Sequence, residues 1–155
     1  MNLALPDIRL ALPADAQRIA ELSREHIEAG LAWSWTPARV ARAIENRSCN
    51  VAVISGRERI AAFGIMLYAD EIAHLALLAV DPLHRRRGLG SRLLGWLEQP
   101  ARVAGIGEVR LEVRADNSAA LAFYTRLGFA QTSTMAGYYQ GRIDALRLVK
   151  PLAAA

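Results

Sequence analysis

The stretch Leu77-Leu78-Ala79-Val80-Asp81-Pro82-Leu83-His84-Arg85-Arg86-Arg87-Gly88-Leu89-Gly90-Ser91-Arg92-Leu93-Leu94 carries more structural information than any other in the chain. It begins inside an apolar run from about Ile72 to Val80 with apolar side chains on both parities, the pattern of a central strand covered on both faces. Asp81-Pro82 ends that strand, because proline removes a backbone donor and fixes φ. After a loop from Leu83 to Arg87, Gly88 to about Ala104 reads as a helix with Leu89, Leu93, Leu94 and Leu97 on its packing side and Pro100 in its last turn. A buried strand, a basic loop with glycines and a helix mouth together suit a compact polyanion. Glycines let a phosphate approach the backbone, and the free amides of the first helical turn point toward negative charge. Two familiar phosphate loops are excluded: a P-loop needs lysine then serine or threonine after its glycines, and a dinucleotide fingerprint needs its glycines directly after a unit's first strand. A solvated loop in an arginine-rich chain is the plainer alternative.

Downstream, Glu108 to Arg114 alternates, with Val109, Leu111 and Val113 on one face and Arg110, Glu112 and Arg114 on the other. Asp116-Asn117-Ser118 offers caps for a helix through about Leu127, where Ala120, Phe123, Tyr124 and Leu127 share a face and Gly128 terminates. Phe129 to Ala136, a turn around Gly137 to Gly141, and a strand from about Ile143 to Val149 complete the tail. Upstream, Ile8 to Leu12 reads as a short strand stopped by Pro13. Ala14 to Ala29 reads as a helix with Ile19, Leu22 and Ile27 at near-helical spacing, interrupted by polar Ser23 and broken by Gly30. Trp33 and Trp35 lie in a loop, where they either close the core beneath the helices or line a pocket. Thr36-Pro37 caps and opens a second helix to about Arg47. Cys49 to Ser55 and Ile60 to Tyr68 flank Gly56-Arg57-Glu58-Arg59 as an antiparallel hairpin.

At 155 residues, 53% hydrophobic and 22% charged, the chain reads as one domain over 1–155, not a disordered, collagenous or disulfide-rich one. No apolar run reaches the roughly 20 residues of a membrane span. Cys49 cannot form an internal disulfide and the first residues do not read as a secretory signal, so a cytoplasmic setting is expected. The net charge is +4, and Lys150 is the single lysine among 19 basic residues. A nucleic-acid binder would more often show a basic stripe interleaved with aromatics, whereas the dense cluster here is Arg85-Arg86-Arg87 with Arg92. His26, His74 and His84 show no metal-ligand spacing, and no metal is expected.

Three residues invite chemistry. Tyr124 can donate a proton to a leaving group or be an amphipathic core residue, and Asn117 lies seven positions before it along the same helix side. Glu112 can accept a proton if burial raises its pKa from about 4.3, or can pair with Arg110 or Arg114.

The first quoted stretch resembles the acetyl-coenzyme A motif of the GNAT superfamily of N-acetyltransferases, which runs Gln or Arg, two variable residues, Gly, one variable residue, then Gly or Ala. Arg85, Gly88 and Gly90 stand at its fixed positions. The stretch Leu111-Glu112-Val113-Arg114-Ala115-Asp116-Asn117-Ser118-Ala119-Ala120-Leu121-Ala122-Phe123-Tyr124-Thr125-Arg126-Leu127-Gly128-Phe129 is similar to a second family motif, especially in members that acetylate the N-terminal alanine of a ribosomal protein. The resemblance implies a mixed, mostly antiparallel α/β (α+β) sheet of six to seven strands flanked by four helices, with central strands parted for the cofactor.

It also implies acetyl-CoA as cofactor, held by Leu78, Ala79 and Val80, by Arg85 and the backbone amides of Arg86, Arg87, Gly88, Leu89, Gly90 and Ser91, and by Asn117 and Tyr124. Glu112 becomes the general base and Tyr124 the general acid, with Trp33, Tyr138 and Tyr139 on the acceptor side. Asp144-Ala145 resembles the family's C-terminal segment. Ile143 departs from a common glutamate, and the link between Tyr139 and Gly141 is short.

The implied reaction is direct attack by an amine on acetyl-CoA in a ternary complex. An α-amine (about 7.7–8.0) is deprotonated more readily than a lysine (about 10.4), by about 3.3 kcal/mol for a gap near 2.4 units. A protein N-terminus is therefore the preferred acceptor. A small amine such as a polyamine, amino acid or aminoglycoside, or a non-catalytic acyl-CoA-binding module, are the rivals. Nothing in the chain indicates a nucleic-acid or membrane partner, or an oligomeric state.

Overall fold

A computed structural model describes residues 7–57, 59–85 and 87–153. In chain order the elements are β1 (Ile8–Leu10), α1 (Ala16–His26), α2 (Pro37–Glu45), β2 (Cys49–Ser55), β3 (Ile60–Tyr68), β4 (Ile72–Val80), α3 (Leu89–Val103), β5 (Glu108–Arg114), α4 (Ser118–Arg126), β6 (Ala130–Tyr139) and β7 (Ile143–Pro151). Short 3-10 turns occupy Pro13–Asp15 and Pro82–His84. The strands form one seven-stranded sheet in the order β1-β2-β3-β4-β5-β7-β6, flanked by the four helices. β1–β2, β2–β3, β5–β7 and β6–β7 are antiparallel, whereas β4–β5 is parallel. The expected mixed, mostly antiparallel α/β sheet is therefore found. The parallel ladder joins Ile72–His74 to Glu108–Arg110, three pairs along strands of nine and seven residues.

Contacts divide the chain into two compact units, Met1–Leu67 with Leu77–Leu97 and Tyr68–Ala76 with Glu98–Ala155. The division cuts through β3, β4 and α3, so each unit is discontinuous in sequence.

In the first unit, α1 buries Ile19, Ala20 and Leu22, and its end differs from expectation. It stops at His26 because the amides of Ile27 and Glu28 both donate to the Ser23 carbonyl, at 2.9 and 2.8 Å, and Gly30 turns away at φ +83°. Ser23, which interrupts the apolar stripe, is itself buried and donates to Glu28 Oε2 at 3.0 Å. Glu28 Oε1 accepts the Ser34 amide at 2.8 Å and the Ser34 hydroxyl, so a buried carboxylate ties the α1–α2 loop together. Thr36 caps α2 through the Arg39 amide at 3.3 Å, and the helix ends at Glu45, before Arg47. At the β2–β3 turn the Gly56 amide donates to the Arg59 carbonyl at 2.7 Å, while Glu58 lies outside the described residues. Gly64 on β3 lets the fully buried Leu97 of α3 come close: a Cβ there would lie 2.7 Å from Leu97 Cδ1.

β4 departs from its expected double cover. Ala73, Leu75, Leu77 and Ala79 are buried, whereas His74, Ala76, Leu78 and Val80 are only half-buried. One face of this strand is thus only partly covered despite its apolar side chains.

In the second unit, Val109, Leu111 and Val113 of β5 are buried while Glu108, Arg110, Glu112 and Arg114 share the less buried face. β6 runs on to Tyr139, further than the expected Ala136, because the turn is tighter than Gly137 to Gly141. Gln140 at φ 57° and Gly141 at φ 71° make that turn, and the Gly141 amide donates to the Gly137 carbonyl at 2.8 Å.

Candidate functional site

The loop before α3 is fixed from its first residue. Asp81 is buried, its amide donates to the Ala61 carbonyl at 2.7 Å, and its carboxylate accepts the Leu83 amide at 3.0 Å and Arg18 Nη2 at 2.9 Å. The Leu83 amide, outweighing burial, together with Arg59 and Arg18 holds this carboxyl below the usual range. Arg85 and Arg87 are exposed, and Arg86 lies outside the described residues. Gly88 has φ +71°, with nothing within 4 Å of where a Cβ would stand. The first bond of α3 runs from the Arg92 amide to the Gly88 carbonyl at 3.1 Å. The amides of Leu89, Gly90 and Ser91 precede it and so have no acceptor within the helix. Leu89 and Gly90 are buried and Ser91 is exposed.

Two further atoms here point to an absent acceptor: Arg92 Nη1 and His84 Nδ1 are buried without hydrogen-bond partners. His84 is half-buried, with its Nε2 3.2 Å from where a Cβ on Gly56 would stand. Open backbone, helix amides and guanidinium groups are the donor set that a diphosphate requires, and the residues present fit one.

In the second unit, the Glu112 carboxylate is the centre of a cluster. Its side chain is only 6% exposed. Oε1 lies 2.7 Å from His74 Nε2 and accepts the Tyr138 hydroxyl at 3.2 Å, while Oε2 accepts Arg147 Nε at 3.2 Å. The fold explains each partner. Glu112 pairs directly with Arg147 in the β5–β7 ladder, and His74 pairs with Arg110, two residues before Glu112, in the β4–β5 ladder. The expected partners of Glu112 are occupied elsewhere, Arg110 with Glu108 at 3.0 Å and Arg114 with Asp116 at 3.3 Å. The condition set for proton acceptance, a pKa raised by burial, is not met. Burial does push the carboxyl up, but the hydrogen bond and charge of His74, then those of Arg147, outweigh it and leave the pKa below its ordinary value. Glu112 is a held anion.

Tyr124 is buried, with Phe123 and Phe129 edge-on to its ring at centroid distances of 5.0 and 5.4 Å. Burial raises its pKa and keeps the phenol protonated. Asn117 is the N-cap of α4, its Oδ1 accepting the Ala120 amide at 3.1 Å. Tyr138 and Tyr139 stack edge-on at 4.9 Å. In the first unit, Trp33 is half-buried, donating to the Ala20 carbonyl at 3.2 Å beneath the Arg24 guanidinium. Leu78 and Val80 lie on the half-buried face of β4, Ala79 on the buried one.

Sequence reading missed His74 and Arg147. Each lies on a strand with the right parity, but no local pattern says which strands become neighbours. Burial pushes the Cys49 thiol up to about 11, so it is not a thiolate near neutral pH and does not suit nucleophilic catalysis. A depression of about 490 Å³ lined by Glu71, Gly105, Gly107, Glu108, Val149 and Pro151 includes none of the expected site residues. Among the described residues no group of three or more His, Cys, Asp or Glu side chains could hold a metal ion, and no helix is long and apolar enough to cross a membrane.

Residues 16–129 match the model of the Acetyltransferase (GNAT) family. The [ribosomal protein bS18]-alanine N-acetyltransferase of Salmonella typhimurium is 39% identical over 102 residues, 64% of this chain and 69% of that protein. Its Escherichia coli K12 counterpart matches over 66% of its own length, so the chain spans about two thirds of these relatives. The N-alpha-acetyltransferase RimI of Mycobacterium tuberculosis is 35% identical over 131 residues, 82% of this chain and 80% of that protein. The crystal structure of the ribosomal-protein-S18-alanine N-acetyltransferase from Escherichia coli superposes with a TM-score of 0.81 at 29% identity, covering 97% of this chain and 96% of that one.

Proposed function

Because the chain belongs to the acetyltransferase (GNAT) family and is an acetyl-CoA-dependent N-acetyltransferase, we propose that it acetylates the free α-amine at a protein N-terminus. The observation that carries this reading is the buried Glu112 carboxylate hydrogen-bonded to His74, Tyr138 and Arg147. A lysine ammonium needs a far stronger base than the imidazole and carboxylate of this cluster, whereas an α-ammonium gives up its proton near neutrality. The names of the Salmonella and mycobacterial relatives, a ribosomal-protein-alanine N-acetyltransferase and an N-alpha-acetyltransferase, support the same acceptor.

When bound, acetyl-CoA supplies an electrophilic thioester carbonyl and a sulfur leaving group. In this reading the amides of Leu89, Gly90 and Ser91 and the guanidinium groups of Arg85, Arg86 and Arg87 hold its diphosphate at Gly88. Asn117 holds the coenzyme arm, and the backbone of Leu78, Ala79 and Val80 orients the acetyl end. Glu112 supplies the negative charge toward which the acceptor's proton is drawn. Tyr124, kept neutral by burial, donates to the departing sulfur. Trp33, Tyr138 and Tyr139 line the acceptor side. A single domain over 1–155 working in the cytoplasm, with no nucleic-acid or membrane partner, belongs to the same reading.

The test is an acetylation screen of peptides with free α-amines, lysine peptides with blocked termini, and small amines. Peptides with a free N-terminal alanine should react fastest. Preference for lysine peptides or small amines would replace the proposed acceptor.

A further inference from the structure

We infer that His74, rather than Glu112, is the group that takes the proton from the acceptor amine, with Glu112, Arg147 and Tyr138 acting as positioning residues. This rests on the acetyltransferase reading above. The argument begins with the tautomer. An ionised carboxylate can only accept hydrogen bonds, so the 2.7 Å contact between Glu112 Oε1 and His74 Nε2 requires the hydrogen to sit on Nε2. Nδ1 then keeps the lone pair of the neutral ring.

Charge and access assign the work between the two groups. Glu112 already accepts from Tyr138 and Arg147 as well as His74, and its side chain is 6% exposed. Three hydrogen bonds already accepted and a depressed pKa make it a weak proton acceptor. The His74 side chain is 40% exposed, on the half-buried face of β4, so water reaches the ring. Imidazole is the side chain suited to proton exchange near neutrality, and a carboxylate behind it stabilises the imidazolium that forms. Arg110, the ladder partner of His74, is drawn off by Glu108 at 3.0 Å, so its charge is paired.

The step balances simply. One N–H bond of the acceptor ammonium breaks, an Nδ1–H bond forms on His74, and the amine lone pair is freed. The imidazolium, hydrogen-bonded to Glu112, later releases that proton to water.

The first measurement is ring nitrogen NMR on the protein free of coenzyme, the His74 signals being identified by their loss in His74→Gln. The neutral ring should carry its proton on Nε2, and Glu112→Gln, which removes the acceptor's charge, should weaken that preference. The second is kinetic, with acetyl-CoA and a peptide bearing a free N-terminal alanine. His74→Ala should lower kcat about 10²-fold or more with KM for acetyl-CoA unchanged, and added imidazole should restore part of the loss. His74→Gln should show the loss without the rescue. A His74→Ala enzyme within about threefold of wild type, a loss untouched by imidazole, or a wild-type ring protonated at Nδ1 would each overturn the inference. Wild-type protein that acetylates no amine would overturn the proposed function instead, while the tautomer, read on the free protein, stands or falls separately.

Discussion

The contribution of Glu112 to stability can be separated by pH from the role proposed for it in the reaction. As an ion-paired carboxylate whose folded pKa is below its unfolded value, it contributes stability that is fully present above the ordinary carboxyl pKa, about 4.3. That contribution is lost as pH falls through the lower folded value. Glu112→Gln should therefore unfold more readily than wild type at pH 7, by about 1.5–3 kcal/mol for hydrogen bonds to a charged group. The deficit should shrink as both proteins are taken to about pH 3, below the unfolded pKa. Urea melts across this range measure it. A deficit that stays constant or grows on acidification would show that the His74 and Arg147 contacts do not hold Glu112 as an anion. Activity answers the other question, since a shortfall in turnover at pH 7 larger than the unfolded fraction explains belongs to the reaction.

At the level of elements, α4 makes a similar separation possible. Asn117 caps this helix through Oδ1, and the proposed coenzyme contact needs its amide donors instead. Asn117→Asp retains an oxygen for the Ala120 amide and favours the helix N-terminus, but loses both donors. It should match wild type in stability while raising KM for acetyl-CoA about tenfold, the worth of one hydrogen bond near 1.4 kcal/mol. Asn117→Ala should raise KM and lose about 1 kcal/mol of stability as well. An unchanged KM in the aspartate variant would reduce Asn117 to a helix cap. The cap was legible from sequence because its signals are local, as were the Thr36 cap, the alternation of β5 and the glycine-bearing mouth of α3. The less legible features depend on distant partners. α1 stops short because Ser23 and Glu28, five residues apart, bury together under the loop to Trp35. Both parities of β4 are apolar, yet only one is buried, because composition cannot show whether a face is covered. His74 and Glu112 are 38 residues apart and meet through a three-pair parallel ladder that no sequence period announces.

For the whole molecule, the division into two units has a cooperative consequence. Both units take residues from β3, β4 and α3, and a strand or helix half-unfolded at the boundary forfeits the bonds of the other half. Thermal melting should therefore be one transition, with calorimetric and van't Hoff enthalpies equal. Acetyl-CoA at a hundredfold above its Kd should raise stability by about 2.7 kcal/mol. At about 2–4 °C per kcal/mol for a chain of this size, that is a Tm rise of roughly 5–11 °C. If the helix mouth holds the diphosphate, replacing Arg85 and Arg87 together by alanine should weaken binding at least about tenfold. The gain at the same ligand concentration then falls to about half, with the ligand-free Tm little changed because both side chains are exposed. Coenzyme A without its acetyl group should give the same pattern, since it carries the same phosphates. A double variant that keeps the full shift would move the diphosphate away from α3, and two separated melting transitions would show that the units fold independently.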